Sequence, residues 1–243
     1  MINAPVTIVK EGFQEAWLEV VGALVRSQWE LRNLVVQIRN PAQIDKALND
    51  RVGDFARAQD LLAPRHVAYT IFPHRLYGGG RNADAVFASY NRKDGLYERL
   101  HRRKKDWGTY FRRMTHYEGK KGNVVNQLGN IIAALRDRGN VSKAAYTIVI
   151  QHPGGETIRP LGGPCLNYLA VQAESDPFTV GLMAVYRNHD FLERAYGNYW
   201  GLCNLVAFIA NEVRAAPGPL TCVSSHAYVD GNKTALRAFV EGI

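Results

Sequence analysis

Cys165 stands in Leu161-Gly162-Gly163-Pro164-Cys165, where a glycine-proline turn delivers a thiol to the start of an apolar run. A cysteine so placed is either a small buried hydrophobe or a nucleophile. The second role needs a thiolate, and a thiolate needs positive charge or a helix N-terminus close by. Arg187, in Tyr186-Arg187-Asn188-His189-Asp190, is one source of that charge. The cluster directly follows an apolar run, so it is either a surface loop or the wall of a site. Asn198 stands at the start of a long apolar stretch, where capping a helix is its simplest duty. His226 and Tyr228 lie two apart, and on a strand they share a face. Two polar rings on one strand face suit hydrogen bonds to a sugar hydroxyl, and equally a half-exposed sheet. The triple glycine Gly78-Gly79-Gly80 lacks both the GxGxxG spacing and the Walker lysine, which argues against a phosphate loop.

The elements that would position these residues follow from hydrophobic period. Glu11 to Arg26 carries Phe13, Trp17, Val20, Val21 and Leu24 at helical spacing. Leu34–Ile38 is short and β-branched, as a strand requires, and Val67–Phe72 has the same look before Pro73. Asp45 to Leu62 reads as helix, Tyr77 to Arg81 as a turn, and Leu100 to Lys105 as the solvated end of a helix. Val124 to Arg138 is amphipathic and closed by Gly139. Ala145–Ile150, Cys165–Val171, Gly181–Arg187 and Thr221–Val229 read as strands. Asn198–Ala215 is a buried helix ended by Pro217. No repeat, low-complexity linker or composition break divides residues 1–243, so one α+β domain is expected.

Composition narrows the class. A 47% hydrophobic, 21% charged chain of 243 residues is globular rather than disordered. Its net charge of +8 is local, since Arg92 to Lys121 holds eleven of the 30 basic residues and only four of the 22 acidic ones. One basic stretch is weak support for nucleic-acid binding, which would show a steep salt dependence. Cys165, Cys203 and Cys222 have no CxxC spacing, which argues against a disulfide framework or a zinc site and suits a reducing cytoplasm. The first residues show no secretory pattern. The most apolar run, Tyr199 to Ala210, contains Asn204 and is shorter than the ~20 residues of a membrane span. A cytoplasmic protein without a membrane partner or a metal is expected.

The order and spacing of the singled-out residues resemble thymidylate synthase between Trp107 and Asp230. A Pro-Cys turn is followed by Arg-x-x-Asp after the next strand, then an Asn eight residues on, then His-x-Tyr beyond a long helix. Gly108-Thr109-Tyr110-Phe111-Arg112-Arg113-Met114 is similar to the family's Gly-x-x-Tyr stretch, and Asn126-Gln127-Leu128 to its next element. Val141-Ser142-Lys143-Ala144 takes the place of a Ser-Arg-Arg. Val25-Arg26-Ser27 is similar to an arginine loop that grips phosphate.

The resemblance implies an α+β fold with a mixed β-sheet and a long buried helix, dimerising through the sheet. It implies Cys165 as the nucleophile at C6 of a pyrimidine nucleotide, whose C5 then takes a one-carbon unit from 5,10-methylenetetrahydrofolate. Arg187 and Arg26 would bind phosphate, with Lys143 reaching the partner subunit's site and Asn188 as a further donor. Asn198 would read O4 and N3 of a uracil, with aspartate there in cytosine-reading relatives. His226 and Tyr228 would hold the sugar, Asp190 would orient the pterin, and Tyr110 would line the base pocket.

The pattern departs in places. Leu166 replaces a histidine, Asn188 a serine, and Lys143-Ala144 a pair of arginines. Asp60 is the nearest candidate for the family's catalytic glutamate. The chain ends soon after Tyr228, so the tail that closes over folate has no expected counterpart. A poorly shielded intermediate would meet water and favour a hydroxymethyl over a methyl product. A degenerate relative that binds a nucleotide without turnover is the alternative reading.

Overall fold

The computed structural model describes residues 4–93, 95–101, 107–119, 122–137, 146–152 and 163–243. Its elements begin with β1 (Val6–Lys10), α1 (Phe13–Arg26), β2 (Glu30–Ile38) and α2 (Lys46–Ala58). A helical stretch follows: α3 (Pro64–Ile71), α4 (His74–Tyr77), α5 (Ala83–Asn91), α6 (Leu96–His101) and α7 (Tyr110–Thr115). Next come the small strands β3 (Tyr117–Glu118) and β4 (Val124–Val125), then α8 (Gln127–Arg136) and β5 (Thr147–Val149). The last part holds β6 (Leu166–Ser175), β7 (Phe178–Tyr186), β8 (His189–Asp190), α9 (Ala195–Val213), β9 (Ala216–Tyr228) and α10 (Lys233–Glu241). This is an α+β fold.

The apolar stripe predicted for α1 is buried as expected, with Phe13, Ala16, Trp17, Val20, Val21 and Leu24 all at 0–1% exposure. Asp45 caps α2, its side chain accepting from the Leu48 N–H at 3.0 Å. Gln14 ties the two helices together, donating to the Asp45 carbonyl at 2.7 Å and accepting from its N–H at 2.6 Å.

The segment Val67–Phe72 is not the expected strand but most of α3 and its C-cap. Pro64 sits in the first turn, where its missing N–H costs nothing. The deciding partner is distant in sequence. A Cβ placed on Gly197 would come within 2.6 Å of the Pro64 carbonyl oxygen, and one on Gly201 within 2.7 Å of that of Ala68. Two glycines one turn apart on α9 therefore open a groove into which the α3 backbone fits. Tertiary packing overrides the β-propensity of Val67, Thr70 and Ile71. The helix expected from Val124 begins later: Val124 and Val125 pair with Tyr117 and Glu118, and Asn126 caps α8 through the Gly129 N–H at 2.8 Å.

The main sheet runs β1-β2-β9-β7-β6-β5, with β8 beside β9. β1 is parallel to β2 and β7 to β9, while β2–β9, β6–β7 and β5–β6 are antiparallel, so the sheet is mixed. One face carries buried Val36, Cys222, Ala184 and Leu169, and α9 packs on that side against β7 and β9. On the other face Val35, Val223, Val185, Tyr168 and Val149 lie side by side in register. Each is partly exposed, and none is charged. At the C-terminus α10 returns to α1 and α2, with Phe239 against Phe55 at 4.6 Å and Trp17 at 6.5 Å. No described helix is long and apolar enough to cross a membrane.

Candidate functional site

The sheet brings the separated motifs together. Leu166 pairs with Tyr186, and one step further the Arg187 N–H donates to the Cys165 carbonyl at 2.9 Å. The Pro-Cys turn and the arginine loop are thus adjacent ends of one antiparallel ladder. The Arg187 Nε donates back to the Pro164 carbonyl at 3.1 Å, fixing the guanidinium over the turn. β8 then runs parallel to β9, pairing His189 with Ala227 and Asp190 with Tyr228. That pairing sets the loop beside the two rings near the end of β9.

Those rings behave as the spacing predicts. His226 and Tyr228 stack with centroids 5.0 Å apart and planes 8° from parallel. Asn188 holds the first of them, its Oδ1 lying 2.7 Å from the His226 Nδ1. The Asn188 Oδ1 is thus engaged within the protein. The His226 Nε2 lies 3.0 Å from the Glu30 Oε1 without the alignment of a hydrogen bond.

Tyr110 supports the thiol turn from below. Its hydroxyl accepts from the Cys165 N–H at 3.2 Å and the Leu166 N–H at 3.4 Å. Thr109 caps α7 and shares a 2.8 Å hydrogen bond with Tyr90, which sets where Tyr110 enters. Burial, with the Cys165 sulfur nearby, pushes the Tyr110 hydroxyl up to about 12, so it stays protonated.

Cys165 is half-buried, and burial pushes its thiol above the ordinary range. Arg187 and Arg194 pull it back down, while Asp190 opposes them. Arg194 was not among the residues expected from sequence. It precedes α9 by one residue and Asn198 by one helical turn, the Asn198 N–H donating to its carbonyl at 2.9 Å. That i, i+4 spacing was the available signal. Asn198 is accordingly not the helix cap: Arg194 holds that position, and Asn198 lies in the first turn at 4% exposure.

Asp190 organises the approach to α9. Its carboxylate accepts from the N–H groups of Leu192, Glu193 and Asp230 at 3.0, 3.2 and 3.3 Å. Three of its roughly four lone-pair positions are thereby used, leaving room for one outside donor. Burial raises the Asp190 carboxyl, with those three N–H groups acting against the rise.

Part of the chain is similar to a curated protein. Over 136 residues it is 28% identical to a protein named "Putative thymidylate synthase" from Methanococcoides burtonii. The match covers 56% of this chain and 58% of that relative, so the chain spans little more than half the relative's length. No protein-family model matches the chain.

Two other expected residues are exposed at the surface. Arg26, at the end of α1, is exposed and lies 3.9 Å from Glu19, which also pairs with Lys10 at 3.2 Å. Asp60 is exposed just beyond α2 with a left-handed φ of 54°, and among the described residues no hydrogen bond or ion pair joins it to Cys165. Lys143 and its neighbours lie outside the described residues, as do parts of the basic Arg92–Lys121 stretch. Leu166, at 0% exposure, fills core space where the resembled family has a histidine. Among the described residues no group of three or more His, Cys, Asp or Glu side chains could hold a metal ion.

Proposed function

We propose that the chain transfers a one-carbon unit to C5 of a pyrimidine nucleotide through a covalent adduct at Cys165. The observation that carries this reading is the gathering of the Cys165 turn before β6, Arg187 after β7, Arg194 at the start of α9 and the stacked His226 and Tyr228 near the end of β9. The weak similarity to a protein named as a thymidylate synthase points the same way.

The chemistry is ordinary nucleophilic catalysis. The Cys165 sulfur loses its proton, a step the two arginines favour, and forms a bond to C6. The C5–C6 π pair moves toward O4, making C5 a carbon nucleophile. Methylenetetrahydrofolate would supply the methylene carbon, and Asp190 keeps one acceptor position for such a ring. Loss of the C5 proton and departure of the folate nitrogen leave an exocyclic methylene. Hydride from the tetrahydrofolate, or water, would add to that methylene, and the C5–C6 double bond re-forms as the Cys165 thiolate leaves C6; hydride gives methyl and dihydrofolate, whereas water gives hydroxymethyl and tetrahydrofolate. Arg187 would bind the nucleotide phosphate, Tyr228 and His226 the sugar, and Asn198 a uracil edge.

The partner is a second copy of the chain. The uncharged residues Val35, Val223, Val185, Tyr168 and Val149 offer an apolar row across the sheet, of the kind that obligate dimers bury. Val223→Arg is expected to convert a dimer to monomers in sedimentation analysis; a wild-type monomer would contradict the assignment.

A second reading, a nucleotide sensor without turnover, draws on the raised Cys165 thiol. Exchange of the C5 hydrogen of dUMP or dCMP into deuterated water separates the two, because it needs sulfur addition and no folate. Exchange that disappears in Cys165→Ser supports the enzyme. Nucleotide binding with no exchange supports the sensor.

A further inference from the structure

The turn between α1 and β2 is bent in a way its residues resist. Gln28 and Trp29 both take a left-handed φ, 55° and 69°, a region that suits glycine and strains a residue with a β-carbon. Two contacts anchor the bend. The Trp29 carbonyl accepts from the Val229 N–H at 3.2 Å, and the Arg237 guanidinium lies 5.5 Å from the centre of the Trp29 ring. The turn delivers Glu30 as the first residue of β2, in register with Tyr228, and sets Arg32 opposite His226. Cross-strand partners share a face, so Glu30 and Arg32 stand on the same side of the sheet as the two stacked rings.

Together these groups cover the histidine. The His226 Nδ1 lies 2.7 Å from the Asn188 side chain, and its Nε2 is buried 3.0 Å from the Glu30 Oε1. Whichever nitrogen carries the hydrogen, both face protein groups and neither is open to a sugar hydroxyl. The open group is the carboxylate. Arg32 donates to the same Oε1 at 2.6 Å, and among the described residues no hydrogen bond reaches the Glu30 Oε2. The side chain is 49% exposed, so that oxygen is within reach of a ligand. A carboxylate only accepts, so its partners are donors such as hydroxyls. A ribose brings two adjacent O–H donors, the pattern that acidic residues grip in dinucleotide-binding folds, whereas a 2′-deoxyribose brings one.

We propose that Glu30 reads the sugar of the bound nucleotide, accepting from its 2′- and 3′-hydroxyls, and makes the site selective for ribonucleotides over deoxyribonucleotides. The proposal rests on the reading that the sugar lies against His226 and Tyr228. His226 then serves as a positioning residue, a wall that holds the carboxylate in place, and Arg32 holds it from the other side. A hydrogen bond to a charged group is of the stronger kind, so the loss of one hydroxyl is expected to be felt in affinity.

The test is calorimetric binding of UMP, dUMP, CMP and dCMP to the intact protein, with folding of each variant checked by thermal melting. Pairing the two sugars on each base makes the result independent of which base the site takes. Wild type is expected to bind the ribonucleotide of the preferred base about tenfold more tightly than its deoxy counterpart. That ratio is expected to fall to near one in Glu30→Ala and to an intermediate value in Glu30→Gln, which keeps one accepting oxygen at nearly the same size. A merely structural role would weaken both sugars alike and leave the ratio unchanged. Equal affinity for the two sugars in wild type, a preference for the deoxy sugar, or a ribose preference that survives Glu30→Ala overturns the role of Glu30 and leaves the nucleotide site standing. Failure of all four nucleotides to bind wild type overturns the nucleotide reading itself, and the role of Glu30 with it.

Discussion

Helix α9 presents two surfaces that obey different rules. Along one, Gly197 and Gly201 meet the backbone of α3 so closely that no β-carbon fits. Along the other, the Asn198 amide meets the His189 ring at 3.2 Å, and the charge of the preceding Arg194 pulls the Cys165 thiol down. The first surface is defined by shape and has no chemistry to lose. The second is defined by partners and tolerates small changes of shape. Damage to the first should therefore remove fold and function together, while damage to the second should remove function from an intact fold.

The largest effect is expected from Gly201→Leu. Its side chain would drive into the Ala68 carbonyl and Ile71, a backbone clash that no rotamer relieves. Overpacking of this kind costs about 1–3 kcal/mol and more where backbone must move. Denaturant unfolding should show a loss at or above that range, and nucleotide binding should weaken in step. A stability like that of wild type would mean that α3 and α9 are not packed as described.

A smaller, purely chemical effect is expected at the other surface. Arg187→Met and Arg194→Met each remove a positive charge that lowers the Cys165 thiol, so each should raise its pKa further. The sign is direct: less thiolate at a given pH means slower alkylation by iodoacetamide, with the rate profile displaced to higher pH. Each variant should slow alkylation a few-fold at neutral pH, consistent with roughly 1 kcal/mol or less for a partly exposed charge. Arg194 also lies against the Glu193 carboxylate at 3.0 Å and is about half exposed, so its effect should be the smaller. Faster alkylation in either variant would contradict the electrostatic account.

The same division explains what could be read before the fold was known. The motif residues were legible because each motif is short: Pro164-Cys165, Arg187 through Asp190, and His226 with Tyr228 carry their spacing locally. The alternation that faces His226 and Tyr228 to one side follows from strand geometry alone. What failed to show was nonlocal. Val67 to Phe72 has strand-like composition, and only the glycine groove of α9, far along the chain, makes it helical. β1 carries no visible alternation, because Ile8 is its single deeply buried residue. α10 packs through Leu236, Phe239 and aromatic partners in α1 and α2, none of which are sequence neighbours. His189 looked like one more polar loop residue, since nothing local says that it turns into the core. Asp60 and Arg26 rest on likeness of their neighbourhoods alone, and both are exposed in the fold.

The account stands on Cys165 acting as a carbon nucleophile's trigger, and one measurement addresses that directly. A 5-fluoro pyrimidine nucleotide can undergo sulfur addition at C6 and attack by C5, but it cannot shed fluorine as a proton is shed. Incubated with methylenetetrahydrofolate and the protein, it should accumulate as a covalent complex. Intact-mass spectrometry should show the protein heavier by nucleotide plus folate, with the added mass on the peptide containing Cys165 and absent in Cys165→Ser. An unmodified protein under saturating nucleotide and folate, or an adduct on Cys203 or Cys222 instead, would contradict the central claim.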